Sequence, residues 1–221
     1  MEPKRDDRSR IVYTTLREWL SVGKLHPGQH LAPEQLGREL SVSVTPIREA
    51  LIRLEMEALV EFSRNRGFFV ATLSELELRH LYEFAHGALH HTIKRMPQNA
   101  QTVAIVQGST FFNKDPDDQI EATHLVESFY HEIARLSGNA ETRRIIDNFC
   151  TRTRIFRRNA FDDPSMREAT LAAIRDIAPR IENQELDWAL LALDSHFERK
   201  VREVKRLWRS GYRRFLYELD T

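Results

Sequence analysis

The sequence predicts a mainly α-helical fold in two domains: a small domain of helices and one hairpin over residues 1–73, and an antiparallel all-helical bundle over residues 74–221. Apolar residues recur at helical spacing along most of the chain. Two adjacent strand-like runs fall between residues 59 and 70, and strand signals end at Leu73. A chain of 221 residues has room for two domains of modest size.

Residues 9–22 and 33–40 predict the first two helices. The first places Leu16 and Leu20 one turn apart and ends at Gly23, a residue type that commonly terminates helices. The second begins with Pro33, whose missing N–H costs nothing at the first helical position.

A third helix is predicted over residues 44–59. Ser43 or Thr45 can cap it, and Pro46 fits its first turn. Its apolar residues recur every three or four positions and predict one buried face, made of Ile47, Leu51, Leu54 and Ala58.

A hairpin follows the third helix. Residues 59–62 and 68–70 are predicted strands, and the polar residues 63–67 between them form its tip, where Gly67 can adopt a positive φ. Three helices followed by a hairpin is the element order of a winged helix-turn-helix domain.

The second domain is predicted to contain helices only, packed as an antiparallel bundle. Ser74 followed by Glu77 has the spacing of a capping box and marks its first helix. An apolar run near the C-terminus is predicted to be mostly core: Leu186, Trp188, Leu190, Leu191 and Leu193. The predicted helices span residues 74–95, 98–112, 117–137, 140–159, 165–182 and 185–218.

Composition narrows the class of protein. No apolar run reaches the roughly 18 residues of a membrane helix, and the polar N-terminus does not resemble a secretory signal. The single cysteine, Cys150, cannot form an internal disulfide, which fits a reducing cytoplasm. Residues 1–73 contain 11 Lys and Arg against 10 Asp and Glu, so net charge alone does not indicate nucleic-acid binding.

The placement of basic and hydroxyl groups does indicate DNA binding. In a helix-turn-helix the N-terminal residues of the second helix of the motif enter the major groove. Packing of the two helices leaves Ser43, Thr45 and Arg48 on the outward face. Arg48 can donate two hydrogen bonds to guanine, and the hydroxyl groups suit phosphate. Arg64 and Arg66 at the hairpin tip can reach the backbone or minor groove of double-stranded DNA.

This region resembles the DNA-binding domain of GntR-type regulators over about residues 9–72. It contains P-G-x-x-L, V-S-x-T-P-I-R-E-A-L-x-R-L and, in the hairpin, R-G-x-x-V. One departure is Val44, where relatives usually carry an arginine that helps to specify the operator. The resemblance implies DNA contacts at Ser43, Thr45, Arg48, Arg66 and Gly67.

The helical half resembles the FCD subfamily, an all-helical domain of fatty-acid-responsive regulators, over most of residues 74–215. The best local agreement is the segment ESFYHEIARLSGN. The resemblance places Glu127, His131 and His196 at metal-ligand positions. Glu127 and His131 are four residues apart and share one helix face.

Two positions depart from that family pattern. Ile174 stands where the family has a further metal-binding histidine, and Ala85 stands where it has a ligand-binding arginine. In one interpretation, Glu127, His131 and His196 hold a weakly bound zinc or nickel ion. We favour the other, in which the pocket holds no metal and binds a more apolar effector, with Ile174 at the position of the missing histidine.

Two further side chains are candidates for this pocket. His86, next to the Ala85 position, can line it in place of the missing arginine. Arg154, in the arginine-rich segment 143–158, can turn inward toward an acidic effector.

These features predict a ligand-responsive, sequence-specific transcription regulator of the cytoplasm, and specifically a metabolite-controlled repressor. As a homodimer it would bind a short palindromic operator in double-stranded DNA. The effector would be an organic acid or a more apolar metabolite, and no enzymatic activity is expected. The alternatives are a metal-dependent helical-bundle enzyme and a DNA-binding protein without a ligand.

Overall fold

The computed structural model describes residues 5–96, 116 and 118–216. The chain divides into two compact units, Met1–Leu73 and Ser74–Thr221. The helix predicted over residues 98–112 lies outside the described residues.

Three helices form the framework of the N-terminal unit: α1 (Arg5–Ser21), α2 (Pro33–Glu39) and α3 (Val44–Met56). As predicted, α1 ends just before Gly23, which has φ +74°. Helix α1 packs against α3, and α2 packs against α3 as well. The core between them contains Val12, Leu16, Leu36, Ile47, Leu51 and Leu54.

A three-stranded antiparallel sheet completes this unit, with the order β1-β3-β2. Strand β1 is His30–Leu31, β2 is Val60–Ser63 and β3 is Gly67–Val70. The predicted hairpin is confirmed, and Gly67 has φ +89°. Strand β1 was not predicted because it is two residues long and exists only through pairing with β3, so the local sequence gives no signal for it.

Two details of the third helix differ from the prediction. Helix α3 ends at Met56, and Ala58 lies in the following turn with φ +54°, so Ala58 is exposed and does not belong to the buried face. Ser43 holds the N-cap position, but its side chain makes no capping hydrogen bond.

The second unit is helical throughout its described part. Its first helix begins with the predicted capping box: Ser74 accepts from the Glu77 N–H, and Glu77 accepts from the Ser74 N–H. The helices are α4 (Glu75–Lys94), α5 (Gln119–Leu136), α6 (Ala140–Ala160), α7 (Pro164–Glu182), α8 (Leu186–Arg202) and α9 (Val204–Leu216).

The segment predicted as one helix over residues 185–218 is two helices separated at Glu203. The break allows α9 to pack against α6, which buries Val204 and Leu207. The predicted core assignment of Trp188 and Leu191 is also wrong. Both are exposed because they lie on the outer face of α8, whose buried residues are Ala189, Leu193, His196, Phe197 and Lys200.

The bundle is held by contacts of α4 with α8, α5 with α6, and α7 with α8. Aromatic side chains from four helices meet in its interior, where Tyr130 packs near Phe149 and Phe197 and Tyr82 packs near Phe149. None of the described helices is both long enough and apolar enough to cross a membrane.

The turn between α2 and α3 depends on Gly37. A Cβ atom at Gly37 would lie 2.9 Å from the carbonyl oxygen of Val42, a backbone atom that cannot move independently. We expect Gly37→Ala to lower the free energy of unfolding of the N-terminal unit by about 1–3 kcal/mol, because overpacking outweighs the gain in helix propensity.

Hydrogen exchange, which reports each unit separately, measures this change. The control is Gly87→Ala on α4, where an added Cβ meets nothing within 4 Å. That substitution should stabilise its own unit by about 0.5–1 kcal/mol. Equal stabilisation at both positions would contradict the proposed constraint at Gly37.

Candidate DNA-binding face and effector site

The start of α3 presents three polar side chains to solvent. Ser43, Thr45 and Arg48 are all exposed, while Pro46 and Ile47 between them are buried. The Arg48 side chain is 58% exposed, and its Nη2 lies 3.4 Å from Oε1 of Glu34. An exposed pair of this kind contributes little stability, so the guanidinium can leave it for a stronger acceptor.

The position of this helix start is fixed by the preceding turn. The Val42 N–H donates to the Gly37 carbonyl at 2.9 Å, and Ser41 has φ +55°. Burial of Ile47 then sets the rotation of α3, so the three polar residues face outward together.

The hairpin tip carries the other predicted DNA contacts. Arg64 and Arg66 are exposed on either side of Asn65, which has φ +71°. The guanidinium of Arg66 lies 5.0 Å from the ring centre of Phe69. Gly67 combines positive φ with little space, since an added Cβ would lie 3.1 Å from His30 Nε2. A larger residue at 67 would therefore disturb the wing.

In the second unit, Glu127 of α5 is buried and paired with arginine. Its side chain is only 5% exposed. Arg154 Nε of α6 lies 3.0 Å from its Oε1 and 2.8 Å from its Oε2. The inward position expected for Arg154 is therefore present, with Glu127 as its partner.

A second arginine binds the same carboxylate. Arg157, one turn beyond Arg154 on α6, donates from Nη1 to Glu127 Oε1 and is 2% exposed. Its Nη2 donates to Thr153 Oγ1 at 2.7 Å. The Glu127 carboxylate lies close by and favours the charged form of Arg157, raising its pKa, although burial opposes this. Sequence reasoning did not single out Arg157.

The two histidines of the predicted metal set have different surroundings. His196 Nε2 is 2.7 Å from the Tyr130 hydroxyl, and its Nδ1 is buried without a partner among the described residues. Burial, together with the charges of Lys200, Arg199 and Arg157, lowers the pKa of His196 well below its ordinary value, so its imidazole is neutral at pH 7. Burial also lowers the pKa of His131, which is partly exposed.

These residues do not fit a divalent metal ion. Within the described part of the chain, no three His, Cys, Asp or Glu side chains are arranged to hold one. Both oxygens of Glu127 are used by guanidinium groups. Ile174 is buried in α7 and offers no lone pair.

His86 contacts Asp194 and Phe197 rather than Glu127. Its Nε2 is 2.6 Å from Asp194 Oδ1, and its ring stacks on Phe197 at 5.2 Å. It lines an open groove of about 330 Å³ between α4 and α8, together with Glu83 and Arg202. The structure therefore places His86 at a surface groove and pairs it with a carboxylate.

A buried lysine lies one turn beyond His196 on α8. Lys200 is 2% exposed, and its Nζ donates to Thr170 Oγ1 of α7. Burial, together with the charges of Arg199 and Arg157, lowers the pKa of Lys200 to about 7. No carboxylate among the described residues forms an ion pair with it.

Arg157 and Lys200 were not identified from the sequence as site residues, because the family resemblance points only to the positions of its own ligands. Helical spacing contains the signal for Arg157, since it continues the buried row of α6 after Ile146, Cys150 and Thr153. A charged residue in a buried row needs a partner, and Glu127 supplies it. Lys200 likewise follows Leu193, His196 and Phe197 on the buried face of α8.

The fold and the exposed face define a DNA-binding regulator, and comparison with known proteins agrees. Residues 8–70 match "Bacterial regulatory proteins, gntR family", and residues 88–199 match the FCD domain. The chain therefore belongs to the GntR family of bacterial transcription regulators, in the group that carries an FCD domain.

Individual relatives extend over most of the chain. The Nta operon transcriptional regulator of Aminobacter aminovorans is 27% identical over 187 residues, which cover 81% of this chain and 88% of that protein. A putative GntR regulator from Rhodococcus sp. RHA1 has the same fold, with a TM-score of 0.74 at 18% identity over 90% of this chain and 97% of that one. Escherichia coli McbR/YncC also has this fold, with a TM-score of 0.68 at 18% identity, covering 91% of this chain and 98% of that one.

Lys200 predicts a pH dependence of stability. Because its pKa is about 7 in the folded state against 10.5 ordinarily, the unfolded chain binds more protons between these values. Stability should therefore rise as pH increases from 7 to 10.5. Lys200→Met should remove this rise and stabilise the protein at pH 7 by about 2–4 kcal/mol.

Denaturant unfolding at pH 7 and pH 10 measures the effect. The matched control is Lys205→Met on α9, an exposed lysine whose replacement should change stability by less than about 0.5 kcal/mol. An unchanged pH dependence in Lys200→Met would mean that this amine is not the source.

Proposed function

We propose that this protein is an effector-controlled repressor that binds a short palindromic operator as a homodimer in the cytoplasm and catalyses no reaction. The observation that carries the DNA-binding part is the shared exposure of Ser43, Thr45 and Arg48 at the start of α3. This is the part of a recognition helix that reaches bases and phosphates. Arg64 and Arg66 at the wing tip add two cations for the DNA backbone.

The interior of the second unit supports an acidic effector. In its described part, the charged side chains that are fully buried are Glu127, Arg157 and Lys200, and the partly buried Arg154 also binds Glu127. The set therefore has an excess of positive charge, which favours an organic acid over a neutral metabolite. Lys200 also favours a ligand-binding protein over one that only binds DNA, because a buried amine without a carboxylate partner is costly in a solid core.

The alternative of a metal-dependent enzyme has less support. A general base or metal ligand needs a free lone pair, and both oxygens of Glu127 accept from arginine. The surroundings of Glu127 therefore favour binding over catalysis.

Control by an effector requires two arrangements of the dimer with different affinities for the ligand. In the proposed mechanism the effector favours the arrangement whose two α3 helices do not match the spacing of the half-sites. Operator affinity would then fall as effector concentration rises.

Selection of bound sequences from random double-stranded DNA tests the proposal. We expect a palindrome with two half-sites, and weaker binding when an organic acid that binds the protein is added. Selection of no common sequence, or of one half-site only, would contradict the proposed homodimeric repressor. The same assay gives the operator for the two variants below.

Arg48→Ala should weaken binding to the selected operator by about 1–3 kcal/mol and relax the preference at one base pair per half-site, because a bidentate contact with guanine is lost. Binding curves on the operator and on single-base variants measure this. Arg53→Ala, in the last turn of the same helix, is the control and should leave base preference unchanged. Equal base preference in Arg48→Ala and the wild type would remove Arg48 from the set of reading residues.

Arg66→Ala should weaken binding to all DNA sequences by a similar factor. It should also reduce the slope of log affinity against log salt concentration by about one for each DNA-binding domain, because one phosphate contact is lost. Titrations at several salt concentrations measure this. Arg66→Lys keeps the charge and should keep the slope. A loss confined to particular sequences would mean that the wing reads bases.

A further inference from the structure

The Glu127 carboxylate is the feature on which a metal site in this bundle would depend. The resemblance to FCD domains places it among the metal ligands, yet it is buried and paired with two arginines. Arg154 contacts both oxygens through Nε, and Arg157 contacts Oε1 through Nη1. A metal ion could bind Glu127 only after at least one guanidinium had left.

Arg154 and Arg157 differ in their freedom to leave. The Arg154 side chain is 22% exposed, so it can rotate toward water. Arg157 is 2% exposed, donates to Thr153 Oγ1, and lies 5.7 Å from the Phe149 ring and 5.8 Å from the Tyr130 ring. Its charge has no route to solvent without opening the bundle, so it stays on Glu127.

The other ligand positions do not compensate. His196 uses Nε2 in its contact with Tyr130, and a divalent ion near it would be repelled by Arg157 and Lys200. Ile174 contributes no lone pair. Restoring a histidine at 174 would add a ligand but would leave the positive charge of Arg157 in place.

We propose that the guanidinium of Arg157 is the resident cation of this site, bound to Glu127 where metal-binding FCD domains are expected to hold a divalent ion, and that it excludes the metal. The inference deepens the proposed function, on which it rests for the identity of the pocket: the effector would meet a fixed organic cation, and the response would not depend on metal supply.

Zinc affinity tests this on the full-length protein, by competition with a chromophoric chelator and by metal analysis after dialysis. The wild type and Ile174→His should both bind zinc weakly, within about tenfold of each other. Ile174→His combined with Arg157→Met should bind at least tenfold more tightly than Ile174→His alone, because the guanidinium that cannot leave Glu127 is removed together with its repulsion of the ion. Arg154 can then rotate outward.

Two controls use the same background. Arg157→Lys with Ile174→His keeps a buried positive charge and should gain no affinity. Arg144→Met with Ile174→His removes an exposed arginine of the same helix and should also gain none. If Ile174→His alone reaches the affinity of the Arg157→Met combination, or if that combination gains nothing, Arg157 is not the excluding group and the inference is wrong.

The wild type provides a measurement that does not depend on a variant's folding. In arginine side-chain NMR spectra, the Arg157 guanidinium should show slow rotation and protected Nη protons, and one equivalent of zinc should leave these signals unchanged. Loss of the signals on adding zinc, or one zinc retained through dialysis against a chelator, would overturn the inference. Neither readout requires DNA binding, so failure of the proposed repressor function would be recognised separately.

Discussion

The buried guanidinium of Arg157 is the constraint around which the second unit is organised. A charge at this depth is tolerated only when it is paired and hydrogen-bonded, and removal of one partner of such a pair typically costs about 3–5 kcal/mol. Glu127 and Thr153 accept hydrogen bonds from it, and Arg154, which is partly exposed, also binds Glu127. Because Glu127 belongs to α5 and both arginines to α6, these contacts also fix the register of the two helices.

Stability alone does not explain this interior. A well-packed apolar core of the same volume is often more stable than a buried ion pair, and a buried lysine without a carboxylate is a further cost. Lys200 and His196 lie on one face of α8; the Nδ1 of His196 has no partner among the described residues, and the Lys200 amine is paired with a hydroxyl and not with a carboxylate. Departures of this kind concentrate where a protein binds something, which is why we interpret the cationic interior as a binding site.

The parts of the structure that the sequence predicted well are those encoded locally. The capping box at Ser74, the glycine at 67 and the helix-turn-helix motif each depend on a few neighbouring residues. Strand β1 depends on a partner almost forty residues away. The pairing of Glu127 depends on which residues of α6 face α5. The helical spacing of Arg157 contains a signal for burial that the sequence analysis did not use, and its partner could be identified only from the packing of the helices.

The first unit offers few candidate side chains for contacts with DNA. Residues 1–73 have one more basic than acidic residue, and Val44 stands where relatives usually have arginine. The candidate basic contacts of each DNA-binding domain are therefore Arg48 and the two wing arginines. In the proposed dimer, both DNA-binding domains must therefore bind at the same time for the operator to be occupied, since each domain alone contributes little binding energy. The operator affinity of such a dimer would depend strongly on the spacing of its two DNA-binding domains. In the proposed function, an anionic effector bound at the cluster around Glu127 would then control DNA binding without contacting the DNA-binding face.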